Sequence, residues 1–259
     1  MAIESVGFVG GGRVARIMLE GWQRAGAMPA RVLVSDPSQA TLDALKARYP
    51  SIETCLGDNC AAAGQQVVFL GLHPPVFADS VPELRAVLRA DAIVVSLAPK
   101  VTMSKLASLL GGFDRLARLI PNAPSIVGAG FNPVAFGTGL DAAGRAELLG
   151  LFAPLGDTPV VDEANLEAYA ITSAMGPTYL WFQLYELRDL ARSFGLSDEA
   201  SALAVERMVA GALATMDSEL TPAEVMDLVP VRPLADSEPA VLDAYRTRLT
   251  AVMDRIRPA

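Results

Sequence analysis

Val6-Gly7-Phe8-Val9-Gly10-Gly11-Gly12-Arg13-Val14-Ala15, running on to Gly21 and Trp22, determines the fold of everything after it. A short apolar run meets three glycines, and then Val14, Ile17, Met18, Gly21 and Trp22 recur at helical spacing, which spells strand, tight turn, helix. In a dinucleotide-binding opening of this kind the first glycine permits the turn and the second lets the backbone approach a pyrophosphate. A small residue in the third position lets helix and strand pack closely. Gly10, Gly12 and Ala15 take these three places, while Gly11, Arg13 and Val14 complete the turn and the helix start on which phosphates would rest. A bare glycine triplet is also what a flexible turn looks like. The context favours the nucleotide, because a second strand, Arg31 to Ser35, ends at Asp36. That is about 20 residues beyond the glycines, where an acid usually holds a ribose hydroxyl.

Composition narrows the rest. Hydrophobic residues make up 52% of the 259, ample for a packed core. The net charge of −8 argues against nucleic acid as a partner, since phosphate backbones demand a cationic face. No apolar stretch is long enough to span a membrane, and the start carries neither a basic segment nor a signal core, so the expectation is a cytoplasmic protein. Cys55 and Cys60 match no zinc or redox spacing and read as structural. With His73 the only histidine, a catalytic triad or a histidine metal site is not expected. No metal is assigned, and the chemistry falls to a cofactor.

The pattern after Asp36 alternates helix and strand. Ser38 caps a helix carrying Leu42 and Leu45, and strands are read at Ile52 to Thr54, Gln66 to Leu70, Ala92 to Leu97 and Leu116 to Ile120. Helices are read around Val81, Leu84 and Leu88, at Met103 to Leu110 and at Ala142 to Phe152, with edge strands at Val134 to Thr138 and Thr158 to Val161. Continuous apolar strands alternating with amphipathic helices mean a parallel sheet covered on both faces. From Asn165 onward only helices are read: Asn165 to Ala174, Tyr179 to Phe194, Ser197 to Met216, Pro222 to Leu228 and Val241 to Ile256. The expected architecture is α/β, a Rossmann-type parallel-sheet domain over residues 1–162 followed by an all-helical domain over 163–259. Its wealth of Leu, Met, Trp and Phe suits a bundle that dimerises. Ligands of such sheets lie outside the carboxyl ends of the strands. Those ends are Gly10 to Gly12, Ser35-Asp36, Gly71 to Pro75 with Leu72, His73 and Pro74, Ala98-Pro99, and Pro121-Asn122 onward.

Three stretches together resemble the pyrroline-5-carboxylate reductase family. Gly7 to Ala15 is similar to its G-F-I-G-G-G-N-M-A. Arg118-Leu119-Ile120-Pro121-Asn122-Ala123-Pro124-Ser125-Ile126-Val127-Gly128-Ala129-Gly130 is close to R-V-M-P-N-T-P-A-L-V-G-A-G, and Ser173-Ala174-Met175-Gly176-Pro177-Thr178-Tyr179 to S-G-S-G-P-A-Y. The resemblance implies a helical dimerisation domain and hydride transfer from NADH or NADPH to the C=N bond of a cyclic imine. It frames the nicotinamide end with Pro121-Asn122 and Gly176-Pro177. Asn122 is the candidate to orient nicotinamide or substrate, and Thr172, Ser173 and Thr178 supply hydroxyls beside an expected helix break at Gly176-Pro177. Ser173, Thr178 and Asn122 are the catalytic candidates, and Met175, Gly176, Pro177 and Thr178 form the expected substrate wall.

The departures are equally informative. The family's Lys-Pro-Gln is His73-Pro74-Pro75 here, its Asn after the glycines is Arg13, and the glutamate expected in the following helix is Tyr185. Where the family continues T-S-P-G-G-T-T, a loop that holds the substrate carboxylate, this chain has Pro230-Val231-Arg232-Pro233-Leu234-Ala235. Prolines donate no N–H and no hydroxyl remains, so that grip must be built differently. Arg232 offers a bidentate replacement, the bland alternative being a solvated arginine in a linker. Asp36 repels a 2′-phosphate and Pro37-Ser38-Gln39 offers no cation, which leans toward NAD, although Arg13 blunts the repulsion. Two other readings compete. A nucleotide-binding sensor without catalysis is favoured by the missing loop. A β-hydroxyacid dehydrogenase is disfavoured because Lys46, Lys100 and Lys105 all precede the helical domain.

Overall fold

The computed structural model describes residues 3–72 and 74–258. β1 (Ser5–Val9) leads into α1 (Arg13–Arg24), β2 (Arg31–Asp36), α2 (Gln39–Arg48), β3 (Glu53–Leu56), α3 (Asn59–Ala63), β4 (Val67–Leu70), α4 (Pro74–Leu84), β5 (Ile93–Ser96), α5 (Met103–Leu109) and β6 (Leu116–Leu119). A short 3₁₀ turn, Ala123–Val127, precedes β7 (Gly130–Phe131) and β8 (Val134–Phe136); α6 (Ala142–Phe152) and β9 (Gly156–Asp157) follow. The main sheet has the order β3-β2-β1-β4-β5-β6-β8, with every pair parallel except β6–β8. That is the doubly wound arrangement, reversing its direction of growth between β1 and β4.

Alternation along each strand explains how one sheet carries two cores. Val6 and Phe8, Val67 and Phe69, and Ile93 and Val95 point to a face covered by α1, α2 and α6, where Met18, Trp22, Leu42 and Phe152 are buried. Phe8 stacks on Phe69 with centroids 4.9 Å apart, and the indole N–H of Trp22 donates to the Leu151 carbonyl at 2.9 Å. Val9, Val68, Leu70 and Val94 point the other way, onto Ala62, Phe77, Val81 and Leu106 of α3, α4 and α5. A third small core joins Ile120 and Ala135 to Leu166 and Ala170, with Ile256 packed against them.

The expected strands and their parallel pairing are borne out, with three local differences. Thr158 to Val161 is not a strand of the main sheet: only Val160 bridges to Val134, and the pairing goes instead to β9, which joins β7 in a separate two-stranded sheet. α3 was not anticipated. It has five residues, too few to show a period, and is nucleated by Asp58, whose side chain accepts from the Ala61 N–H. The helix expected around Val81 to Leu88 starts earlier, at Pro74, and ends at Leu84.

Beyond Glu163 the chain is helical: α7 (Leu166–Tyr169), a π-helical turn Ala170–Ala174, α8 (Pro177–Ser193), α9 (Asp198–Met216), α10 (Pro222–Asp227) and α11 (Glu238–Ile256). Two compact units result, one reaching to Met175 and including the chain again from Val252, the other comprising Gly176–Ala251. The division thus falls 13 residues later than the expected 162/163 boundary, because Leu166 and Ala170 are buried with Ile120 in the first unit's third core.

One close approach limits what the sequence tolerates here. A Cβ on Gly7 would lie 1.8 Å from the Ala62 carbonyl oxygen, so α3 can sit on β1 only because residue 7 has no side chain. Gly7→Ala should lower stability by about 2–3 kcal/mol through overpacking, read as a lower denaturant midpoint at unchanged slope. An unchanged midpoint would show that α3 gives way freely.

Candidate functional site

The glycine turn lies at the carboxyl ends of β1, β2 and β4, held by backbone bonds and by the Asp36 carboxylate. Gly10 has φ +107°, donates its N–H to the Ser35 carbonyl at 2.8 Å, and would clash through a Cβ with the Gly71 carbonyl 2.8 Å away. The Gly71 N–H in turn donates to the Val9 carbonyl at 2.9 Å. These bonds bring the ends of three strands together around one crevice. Gly12 precedes α1 without a side-chain cap, and a Cβ there would meet nothing within 4 Å. The first closing bond of α1 runs from Arg16 N–H to Gly12 O, so the N–H groups of Gly12, Arg13 and Val14 carry no intrahelical acceptor. No acid stands in that first turn. Open space, unpartnered donors and the positive end of a helix dipole fit the pyrophosphate of a dinucleotide.

Asp36 is half-buried at the end of β2, and its carboxylate faces the turn. One oxygen accepts from Gly11 N–H and the other from Ser38 N–H, each at 2.9 Å. Ser35 is fully buried and donates its hydroxyl to Asn59 Oδ1 at 2.9 Å. A cleft of about 540 Å³ opens between α1 and α2 beside the turn, and Arg13, Arg16 and Arg48 line it. Its rim is tied by Glu20, which accepts from Arg48 Nε at 2.7 Å and from the Tyr49 hydroxyl at 2.6 Å. These two hydrogen bonds, Arg48's the larger effect, hold the Glu20 carboxyl down at about 2, while burial first and Glu20 second push Tyr49 up to about 12. Of the remaining expected cofactor residues, Leu72 is half-buried against the α3–α5 side of the sheet. His73 lies outside the described residues, and Pro74 opens α4.

At the far end of the sheet the Pro121–Asn132 segment is stitched by buried amides. Asn132 Oδ1 accepts from Asn122 N–H at 3.1 Å and from the Ser125 hydroxyl at 2.9 Å. Asn122 is itself only 6% exposed: its Oδ1 accepts from Phe131 N–H at 3.1 Å and its Nδ2 donates to the Ser173 carbonyl at 3.3 Å. The reason for the second bond is covalent. Pro177 has no N–H to return to the carbonyl four residues back, so Ser173 O is left for a side-chain donor. Asn122 therefore braces the segment, with one amide N–H engaged by Ser173 and its oxygen by Phe131.

The segment expected to break at Gly176-Pro177 does not. Gly176 is helical, with φ −47° and ψ −46°, and the chain passes from the π-turn through Met175 into α8 without leaving helical geometry. The widened turn appears instead in the backbone bond from Met175 N–H to Ala170 O at 3.0 Å, five residues apart. The Ser173 hydroxyl donates to Tyr169 O at 2.8 Å and keeps its lone pairs, whereas Thr172 is exposed and donates to Ala168 O at 2.9 Å. Thr178 is exposed near the start of α8. Arg232 is half-exposed and pairs with Glu238, the first residue of α11, both carboxylate oxygens lying within 2.6 Å of one guanidinium nitrogen. Its guanidinium therefore already holds a carboxylate, one supplied by the chain.

Sequence reasoning passed over one buried charge cluster. Arg118 is 1% exposed on β6, bridging Glu163 at 3.0 Å and nearly buried Glu167. Glu163 also accepts from Met103 N–H at 2.7 Å. A charge inside the apolar strand Leu116 to Leu119, and two acids one helical turn apart, were the available signals. Among the described residues no three His, Cys, Asp or Glu side chains gather as a metal set. Nor is any helix long and apolar enough to cross a membrane.

Comparison with known proteins sets this geometry in context. Residues 5–100 match the family model described as NADP oxidoreductase coenzyme F420-dependent. The chain is 25% identical over 234 residues to pyrroline-5-carboxylate reductase of Escherichia coli, covering 87% of this chain and 84% of that protein. Among solved structures, a pyrroline-5-carboxylate reductase from Coxiella burnetii superposes with a TM-score of 0.72 at 27% identity, over 99% of this chain and 98% of that one. The pyrroline carboxylate reductase of Plasmodium falciparum with NADP bound shares the fold at TM-score 0.72 and 16% identity, over 98% and 94%. The resemblance read from three short motifs is borne out along nearly the whole chain.

The Glu20 clasp beside the cleft has a defined pH signature. A carboxyl held at about 2 against an ordinary 4.5 contributes stability that is fully present above about 4.5 and is lost as the pH falls toward about 2. Glu20→Gln should therefore melt below the parent at neutral pH, with the difference in Tm shrinking steadily from pH 5 downward. A difference independent of pH would mean the ion pair contributes nothing.

Proposed function

We propose that this chain is an NAD(P)H-dependent reductase, a divergent member of the pyrroline-5-carboxylate reductase family, that transfers hydride to the C=N bond of pyrroline-5-carboxylate or a related cyclic imine. The observation that carries the reading is the extent of the likeness to the Coxiella burnetii enzyme. It runs over 99% of the chain and so takes in the helical unit as well as the nucleotide fold that many dehydrogenases share. An intact glycine turn with free N–H donors supports the cofactor half of it.

The chemistry a reduced nicotinamide dinucleotide supplies when bound is a hydride, delivered to the imine carbon. A protonated imine is already electrophilic and needs no further acid, so the protein's tasks are to bind, orient and exclude water. The glycine turn binds the phosphates through Gly12, Arg13 and Val14, and Asp36 orders the turn by holding Gly11. Asn122 positions the Ser173 segment by capping its orphaned carbonyl. Ser173 and Thr178 are assigned to hold the proton at the imine nitrogen through their hydroxyl oxygens, with Met175, Gly176 and Pro177 as the apolar wall beside them. The Pro230 to Ala235 loop and the Arg232–Glu238 pair favour a substrate whose carboxylate, if it has one, is held elsewhere.

Purified protein with NADH or NADPH should consume the reduced cofactor when given pyrroline-5-carboxylate or a member of a panel of cyclic imines, followed by loss of nicotinamide absorbance. Turnover with the first alone supports the family activity, and turnover only with others supports the related-imine form of the proposal. Tight binding with no turnover on any would overturn catalysis in favour of a sensor.

We further assign the helical unit to a homodimer. In α8 to α11 only Ser201 and Val205 are buried, while Phe182 and Phe194 stand 67% and 79% exposed together with Trp181, Tyr185, Met216 and Leu234. A bundle cannot leave this much apolar surface in water, and a second copy supplies the same surface to cover it. Light scattering should give twice 27.2 kDa at micromolar concentration, and Phe182→Asp should shift it toward one chain. A monomeric parent protein would refute the assignment.

A further inference from the structure

We propose that Lys100 is a specificity-determining residue: its ammonium receives the carboxylate of a cyclic imine acid, from a place in the fold outside the Pro230 to Ala235 loop. The inference rests on the reading above that the chain reduces a cyclic imine. Lys100 stands between β5 and α5, and among the described residues it is the one non-glycine with a positive φ, +71°. A long side chain in that left-handed region is strained, and glycine would make the same turn freely. The turn is held by its surroundings. Lys100 N–H donates to Glu167 Oε1 at 3.4 Å, and Glu167 is itself paired with buried Arg118. The side chain, by contrast, is engaged by nothing in the chain: Lys100 is exposed, and among the described residues its ammonium has neither an ion pair nor a hydrogen bond. Lys46 differs, donating to the Pro50 and Ile52 carbonyls. Backbone strain fixed around a side chain without a partner points to a partner from outside the chain.

Lys100 lies at the carboxyl edge of the sheet, the side on which ligands of such sheets bind. Ser96 of β5 is paired with Arg118 of β6, and Lys100 and Asn122 each follow four residues later, so both loops leave the sheet at the same edge. One helical segment meets both of them. Glu167 takes the Lys100 N–H, and six residues further on the Ser173 carbonyl takes Asn122 Nδ2. Six helical residues rise about 9 Å, a gap that a small ring and the flexible four-carbon lysine stem can bridge together. With the imine nitrogen at the Ser173 hydroxyl, a carboxylate on the adjoining ring carbon falls toward Lys100. Glu167 does not compete for the ammonium, because Arg118 already neutralises it. A ring without a carboxylate is cationic once its nitrogen is protonated, so the same ammonium that attracts the acid repels the neutral analogue.

Steady-state kinetics on matched substrates test this: pyrroline-5-carboxylate against 1-pyrroline, and piperideine-6-carboxylate against 1-piperideine, each with NADH and NADPH. The parent protein should prefer each acid by about tenfold or more in kcat/KM, and added salt should narrow that margin. Lys100→Met should lose most of the margin, chiefly through a higher KM for the acids, and Lys100→Arg should restore part of it. Lys100→Gly removes charge and strain together, so it should melt at or above the parent while losing the same preference. No preference for the acids in the parent, an equal loss on acid and neutral rings, or a lower Tm for Lys100→Gly would overturn the inference and leave the reductase reading standing. Failure to turn over any ring would overturn both.

Discussion

The structure depends on backbone groups meeting backbone groups where β1 ends. Gly10 donates to β2 through Ser35 and Gly71 donates to Val9, bonds that require two chains to pass closer than any side chain allows. Because the β1 end is fixed against both neighbours, the reversal of strand order opens a crevice there. α1 is then aimed at the crevice by its own connection, since only Gly11 and Gly12 separate it from the turn. Pinning three strand ends with main-chain bonds makes the turn insensitive to most side-chain change.

The Pro121–Asn132 segment is built on the opposite rule. Asn122 satisfies a carbonyl that Pro177 leaves without an N–H, and Asn132 ties the loop that carries Asn122. Buried amides of this kind are worth little when satisfied and cost much when one partner is lost, so they fix a geometry more than they stabilise it. Arg118 with Glu163 and Glu167 acts in the same way, joining β6 to the helical segment that begins beyond it.

How far the sequence was legible follows from how local each feature is. Strand, turn and helix at Val6 to Trp22 could be read directly, since period and glycine spacing are properties of neighbours. Asp36 was legible as a position but not as a set of contacts: spacing put it beside the glycines, and only the fold shows both oxygens engaged by Gly11 and Ser38. The Arg118 cluster spans 45 and 49 residues, beyond any local pattern. Gly176-Pro177 misled for a physical reason. Glycine and proline mark helix ends on average, yet here Gly176 keeps helical dihedrals after the wider π-turn, and the carbonyl opposite Pro177 takes its hydrogen bond from Asn122.

The glycine turn and the Pro230 to Ala235 loop therefore tolerate substitution differently. The N–H groups of Gly12, Arg13 and Val14 belong to the backbone, so they survive any substitution that keeps the turn. A grip made by side-chain hydroxyls, by contrast, is lost as soon as those side chains change. Pro230 to Ala235 carries no hydroxyl, and Arg232, its one cation, is already matched to Glu238 in the same chain. What the backbone-held turn presents is thus kept through side-chain change, whereas what the loop presents is set by its side chains alone.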